Sequence, residues 1–283
     1  MPSLLLLEKL FLWGVFYSFC GWIYETILVS LQEHRFVNRG FLNGPLCPIY
    51  GSGSVLAILL LTPLHNPVMM FVIGAIGACA LEYVTSWVME KIFHARWWDY
   101  SNFRFNLNGR VCLLGAVIFG IGSLLIVEVV QPVVGRMTDR LSLHWLHVML
   151  ILLLALIIAD LLITVIGFNG FYERLTEFAA EMKRSAGESA SQIIDDYANA
   201  ATSKFSEMRA GATDTLVKVR EISEVSLSRA SQIQDKLLGV LGNQQKRMVR
   251  SFPHLKSNGY GDLIKELRNI IIRDEEKRHH RHG

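Results

Sequence analysis

Charge is scarce in the first 168 residues of this 283-residue chain. That part holds 9 Lys/Arg and 9 Asp/Glu, leaving 19 and 16 of the chain's 28 and 25 for residues 169–283. The net +3 therefore belongs to the second part and is too small for a nucleic-acid-binding face, so no nucleic-acid partner is expected. Cysteine is sparse as well. Cys20, Cys47, Cys79 and Cys112 form no C-x-x-C pair and have no histidine at ligand spacing, so they read as reduced packing residues. No metal and no cofactor are expected. The phosphate loop G-x-x-x-x-G-K-[ST] is missing, as is any Gly-Lys pair, so the chain carries no ATPase of that kind. No nucleophile stands beside a recognisable base, which weighs against an enzyme. The start lacks the basic stretch of a cleavable signal before Leu4–Leu7, and its apolar run continues to Leu31.

Long apolar runs are what the chain has instead. Crossing the roughly 30 Å hydrocarbon core takes about 20 apolar residues. Leu10–Leu31, Val68–Val88, Val111–Val130 and Trp145–Phe168 qualify. Ile49–Leu61 is shorter, opens on Pro48 and carries Gly51 and Gly53. It reads as a loosely wound span or a re-entrant half-helix. The expected fold is all-α: a polytopic membrane helix bundle of about five spans over 1–168. A long helical segment over 169–252 follows, then a short helix and basic tail over 253–283. With five spans, Lys9, Arg136 and Arg140 flank one side. Arg35, Arg39, Lys91, Arg96, Arg104, Arg110, Arg174, Lys183 and Arg184 flank the other, which the positive-inside rule makes cytoplasmic. A re-entrant second segment gives eight against four and keeps the tail cytoplasmic while moving the N-terminus.

The densest polar stretch is Val37–Gly51, where glycine, proline, asparagine and arginine sit between two apolar runs. Backbone of this kind needs partners from protein or water at membrane depth. Gly44-Pro45 and Pro48 read as the cause of a loose start to the second span. Glu25 shares a helical face with Gly14, Ser18 and Gly21; Glu82 with Gly74, Ala78, Thr85 and Ser86; Asp160 with Thr164 and Gly167. Small residues let helices approach closely, so the three acids are expected to turn inward. Glu90 and Glu128 fall at span ends and read as solvated. The second polar loop runs from Arg96-Trp97-Trp98-Asp99 through Asn106, Asn108, Gly109 and Arg110. Trp97 and Trp98 read as interface anchors. Arg39 and Arg110 are expected partners for Glu25, Glu82 or Asp99. The candidate substrate-binding residues are Glu25, Asn38, Arg39, Asn43, Tyr50, Glu82, Trp98, Asp99, Asn108, Arg110 and Asp160, centred between Glu25 and Arg39.

Gly21-Trp22 with Glu25, Asn38-Arg39-Gly40-Phe41-Leu42-Asn43-Gly44-Pro45, Pro48-Ile49-Tyr50-Gly51, Glu82, Trp97-Trp98-Asp99-Tyr100-Ser101-Asn102 and Val111-Cys112-Leu113 form a set. With Asp160 and Ile163-Thr164, they resemble the CmpB-like family, the putative type IV ABC-transporter permeases, over about residues 8–168. The resemblance implies a multi-pass protein of the bacterial cytoplasmic membrane, working among membrane lipids, with an ATPase on a separate subunit.

The tail lies outside that resemblance. Phe205, Met208, Ala212, Leu216, Val219, Ile222, Ala230, Ile233 and Leu237 recur near helical spacing but are interrupted by Ser223, Ser226 and Arg229. That pattern predicts coiled-coil contact only in patches, with weak self-association through the C-terminal helices. Gly187, Gly211, Gly239 and Gly242 are the expected breaks. A last helix is expected over Asp262–Lys277, and His279–His282 reads as a solvated basic end. Three functions compete: a transport component, a membrane enzyme acting on a lipid or isoprenoid, and a scaffold or sensor working through the tail.

Overall fold

The computed structural model describes residues 2–177, 179, 180, 184, 239, 241–257, 264, 265 and 267–273. Its helices are α1 (Pro2–Glu33), α2 (Pro48–Leu61), α3 (Pro67–Phe93), α4 (Leu113–Leu125), α5 (Gln131–Asp139), α6 (Leu143–Phe168) and α7 (Asn243–Ser251). A π-helical turn, Ile126–Val130, joins α4 to α5. Four two-residue strands complete it: β1 (Ala95–Arg96), β2 (Asn106–Leu107), β3 (Val111–Cys112) and β4 (Lys256–Ser257). The expected coiled-coil patches and the closing histidines fall outside the described residues. Within the last predicted helix, residues 264, 265 and 267–273 are helical.

Among the described residues, four helices are long and apolar enough to cross a membrane: Leu4–Glu33, Pro67–Phe93, Leu113–Asp139 and Leu143–Glu177. The last has the highest mean hydropathy of its best window, 3.0, yet only 6% of that window is buried inside the protein. Leucines and isoleucines facing outward all round a helix are stable in lipid and not in water. The all-α membrane bundle follows from this pattern. Two expected spans are longer than their apolar cores. α1 starts at Pro2, and the third long span runs on to Asp139. That extension passes Pro132, which has no N–H and would crowd the carbonyl four residues back. The π-helical turn just before it absorbs the misfit, with the Gln131 N–H reaching the Ile126 carbonyl.

The second segment is regular helix from its first residue, which corrects the expected loose winding. Pro48 occupies the first helical turn, where a missing N–H costs nothing. Its 14 residues rise only about 21 Å. Tyr50 lies on Gly21 and Gly51 on Gly14 and Ser18, while Val55 reaches Gly14. Gly53 faces Leu81 and Leu61 faces Gly74. α2 therefore runs antiparallel to both α1 and α3 and delivers the chain to the far end of the bundle, which sets aside the re-entrant reading. A β-carbon on Gly21 would collide with the Tyr50 ring, and one on Gly51 with the Gly14 carbonyl, so at Gly51 the helices touch backbone to backbone. At the link to α3, Asn66 caps by accepting from Val68 N at 2.9 Å and Met69 N at 3.2 Å.

The loop 34–47, the β1–β3 region, the end of α6 and α7 meet at one end of the bundle, here called the loop end. Their core joins Ala95, Trp97, Phe168, Phe171, Met248, Val249, Phe252 and Leu255, with Phe41 and Phe93 packed against it. Trp97 is only 1% exposed, so it is a core residue and not the expected interface anchor. β1 pairs antiparallel with β4, Ala95 against Ser257 and Arg96 against Lys256. The far end is tied by Lys9 to Asp139 at 2.6 Å, Trp13 to Thr138 at 3.1 Å and Tyr17 to Gln131 at 2.9 Å.

Candidate functional site

The loop after α1 does not leave the bundle. It doubles back along α1, and the helix meets it with a polar stripe at four-residue spacing. Ser30 Oγ accepts from Val37 N at 2.9 Å, Thr26 Oγ1 from Arg39 N at 3.3 Å, and Trp22 Nε1 donates to Asn38 Oδ1 at 2.7 Å. Cys47 N donates to the Ser18 carbonyl at 2.9 Å. From Ser30 to Ser18 the helix falls about 18 Å, and the loop falls with it. Irregular backbone at that depth needs partners from protein, and this stripe supplies several of them.

Asp160 of α6 does much of this. Its Oδ1 accepts from Asn43 N and Asn43 Nδ2, each at 2.9 Å, and its Oδ2 accepts from Gly44 N at 2.7 Å. Thr164, one turn on, donates to Asp160 at 3.2 Å and accepts from Asn43 Nδ2 at 2.9 Å. Asp160 and Asn43 are thus brought together, as loop anchors. Arg247 of α7 takes the other face of the same backbone: Nη1 donates to the Gly40 and Leu42 carbonyls at 3.2 and 3.1 Å, and Nη2 to the Phe41 carbonyl at 2.7 Å. Burial there pushes the Arg247 guanidinium below its ordinary pKa, opposed by the Asp160 charge.

Glu25 stands where the loop meets the start of α2. Arg39 Nε lies 3.2 Å from Glu25 Oε2, and Tyr50 Oη donates to Glu25 Oε1 at 2.5 Å. The expected pair of Glu25 and Arg39 is therefore formed, with Tyr50 as its third member. Arg39 also donates through Nη1 to the Ser251 carbonyl at 2.9 Å, and its guanidinium carbon lies 4.2 Å from the centre of the Phe252 ring. A second carboxylate–tyrosine pair adjoins the first. Tyr100 Oη donates to Glu82 Oε1 at 3.0 Å. Glu82 Oε2 is buried with no hydrogen-bond partner among the described residues. The charge of Glu25 acts on both Glu82 and Tyr100, so the two pairs share one polar region. Burial and the neighbouring Glu82 hold the Tyr100 hydroxyl far above its ordinary pKa, so it stays a donor.

The remaining candidates form a separate brace. Arg110 does not reach Glu25 or Glu82. Its Nη2 lies 2.7 Å from Glu90 Oε2, its Nη1 donates to Ser86 Oγ at 3.1 Å, and it lies over Tyr83. Glu90 also takes Arg96 at 3.3 Å, so this span-end acid is a double arginine anchor and not the solvated group expected. Asp99 accepts from Ser101 N at 3.0 Å and from the Ser101 hydroxyl, closing an Asx-type turn. Asn108 donates to Tyr83 Oη at 2.9 Å, and Trp98 Nε1 to the Arg110 carbonyl at 3.1 Å. Asn108 (φ 54°) and Gly109 (φ 66°) turn β2 into β3, where left-handed backbone suits these two residue types. These four residues shape the second loop beside the site.

Reasoning from sequence missed Tyr100, Trp22, Thr26, Arg247 and Phe252. The four-residue recurrence of Ser18, Trp22, Thr26 and Ser30 was a readable signal for the buried loop. Nothing local marks Arg247, which acts more than 200 residues from its partners. Searches of curated proteins and of solved structures found no match. A family model described as "Putative ABC-transporter type IV" matches residues 12–165, from within α1 to the last turn of α6, and leaves α7 outside. That span exceeds half the chain and contains every candidate residue named from the sequence, so the chain belongs to this family.

Proposed function

We propose that the chain is the permease-like, membrane-embedded component of a transport system, with its polar site at the loop end around Glu25, Arg39, Tyr50, Glu82 and Tyr100. The observation that carries this reading is the pairing of two interior carboxylates where irregular backbone replaces helix. Transport sites near the middle of a bundle use such interrupted segments, because freed backbone groups and inward acids recognise polar cargo. Asn38, Asn43 and Asp160 hold the loop, while Trp98, Asp99, Asn108 and Arg110 hold its neighbour. The flanking positive charges, nine against three in the sequence, make the loop end cytoplasmic, in a bacterial inner membrane. The chain divides into the bundle over 1–168, a connecting segment over 169–252 and a C-terminal segment over 253–283. Since no phosphate loop is present, ATP hydrolysis belongs to a separate subunit docking at the loop end.

The test is affinity purification of the full chain from native membranes in mild detergent. The expected result is a co-purifying subunit with a G-x-x-x-x-G-K-[ST] loop, whose ATPase rate changes when Glu25→Gln is introduced into the chain. Purification without any such subunit, together with no nucleotide-dependent solute uptake in vesicles, would overturn the proposal.

A further inference from the structure

The family match ends in α6, yet the described part of the chain continues onto the site. Segment 241–257 lies across the loop end and makes three kinds of contact there. Arg247 binds three consecutive loop carbonyls, Gly40 to Leu42. The Ser251 carbonyl and the Phe252 ring together hold Arg39, the cation paired with Glu25. Phe252 stacks edge-on against Trp97 at 4.8 Å, and β4 pairs with β1. Arg268, beyond the strand, reaches Glu33 at the end of α1. Arg39 is left with 12% side-chain exposure.

The contact joins an apolar seam, Met248, Val249, Phe252 and Leu255 against Trp97 and Phe168, to a polar edge. At that edge Arg247 donates to loop carbonyls while the Ser251 and Arg250 carbonyls accept from Arg39 and Arg35, groups that water also hydrates once parted. Three of the six orphaned buried polar atoms among the described residues, Gln244 Nε2, Ser251 Oγ and Arg268 Nε, belong to this segment or the helix after it. A buried polar atom without a partner weakens the docked state and is relieved by water on opening. His254, exposed at the edge of the segment near Arg39, Arg268, Glu33 and Asp99, adds a group that resists charging while docked.

We propose that segment 241–257 is a lid on the Glu25–Arg39 site, latched by Arg247 and stoppered by Phe252, and that it must lift before a solute or a docking subunit reaches Glu25 from the loop end. Lifting frees Arg39 from Phe252 and Ser251, so the cation facing Glu25 changes partners with the lid. The proposal rests on the reading of Glu25–Arg39 as the working site. Its test reads lid motion directly and needs no transport activity, so either can fail alone.

Hydrogen–deuterium exchange on the full chain in lipid nanodiscs supplies that test, read in peptides over 37–47 and 241–257. Three proteins are compared: the native chain, Arg247→Gln, and Ala95→Cys with Ser257→Cys. Ala95 and Ser257 are cross-strand partners, close enough for a disulfide. The expected result is that both peptides exchange together, about tenfold faster in Arg247→Gln and about tenfold slower when the engineered pair is oxidised, with reduction restoring the native rate. Slowing of 241–257 by the cross-link without slowing of 37–47 would overturn the lid. So would native rates in both peptides for Arg247→Gln and for the oxidised pair. If Arg247→Gln exchanges throughout α1–α6, it has misfolded, and the cross-linked protein decides by the same two outcomes.

Discussion

Asp160 is the one carboxylate of a mostly apolar, lipid-facing helix, and it holds two amide N–H groups and a side-chain amide of the loop. Replacing it with asparagine turns an acceptor into a donor against Gly44 N or Asn43. Asp160→Asn should therefore lower unfolding free energy by about 2–3 kcal/mol, as expected for hydrogen bonds to a charged acceptor. Denaturant titration in detergent checks this, with early proteolysis in 37–47. Glu25 and Arg39 invite a double-mutant cycle. Either Glu25→Gln or Arg39→Gln alone leaves a partly buried charge behind, whereas the double variant leaves none, so its loss should be about 1–2 kcal/mol smaller than the sum. Additive losses in the same titration would mean that the pair is not coupled. Sequence reading reached this pair because an acid within an apolar helix and an arginine in a short loop have few other ways to be neutralised. It misassigned Arg110, since the 20 positions from Glu90 to Arg110 include a tight hairpin, and no helical periodicity reports a contact made across one.

At the scale of elements, α1 and α2 depend on the absence of two β-carbons. Gly21→Ala meets the Tyr50 ring and Gly51→Ala the Gly14 carbonyl. Gly51→Ala should be the more damaging, because main chain yields less than a side chain. Both should part Tyr50 from Glu25 and lower thermal stability in detergent by several degrees, consistent with overpacking costs of about 1–3 kcal/mol. The lid adds a pH dependence. Partial desolvation and the nearby Arg39 and Arg268 charges hold His254 below the ordinary histidine value of 6.5. Above that value it is neutral whether the lid is docked or free, and docking has its full strength. As pH falls below it, the free lid takes up a proton first, so docking weakens on acidification. Exchange in 241–257 should accelerate below about pH 6 after correction for intrinsic rate, and His254→Asn should remove the acceleration. The spans were legible because about 20 apolar residues in a row have one stable environment. The regular start of α2 was not, because Pro48 and Gly51 signal a break and a first helical turn in the same letters.

The described part of the molecule is a lipid-facing bundle with a large aromatic core at its loop end. A chain cut after Glu177 keeps every residue of the family match but uncovers Trp97, Phe168 and Phe41. Such a truncation should still insert, yet it should elute from size exclusion in detergent as higher oligomers, whereas the full chain stays monodisperse. Architecture at this scale was half visible. Composition separates the apolar part from the polar tail, but contacts spanning more than 200 residues leave no trace in either. The descent of the 34–47 loop along α1 has an electrical meaning. Where it replaces helix, the apolar barrier thins towards the roughly 21 Å of α2, and Glu25 lies about 12 Å inward from the end of α1. A transmembrane potential of 100 mV acts on each elementary charge with about 2.3 kcal/mol over the full crossing, and a share of that drop falls between the loop end and Glu25. If Glu25 is the working site proposed above, charge arriving at this carboxylate has already moved through part of the field, and its occupancy should respond to voltage even where no nucleotide is spent.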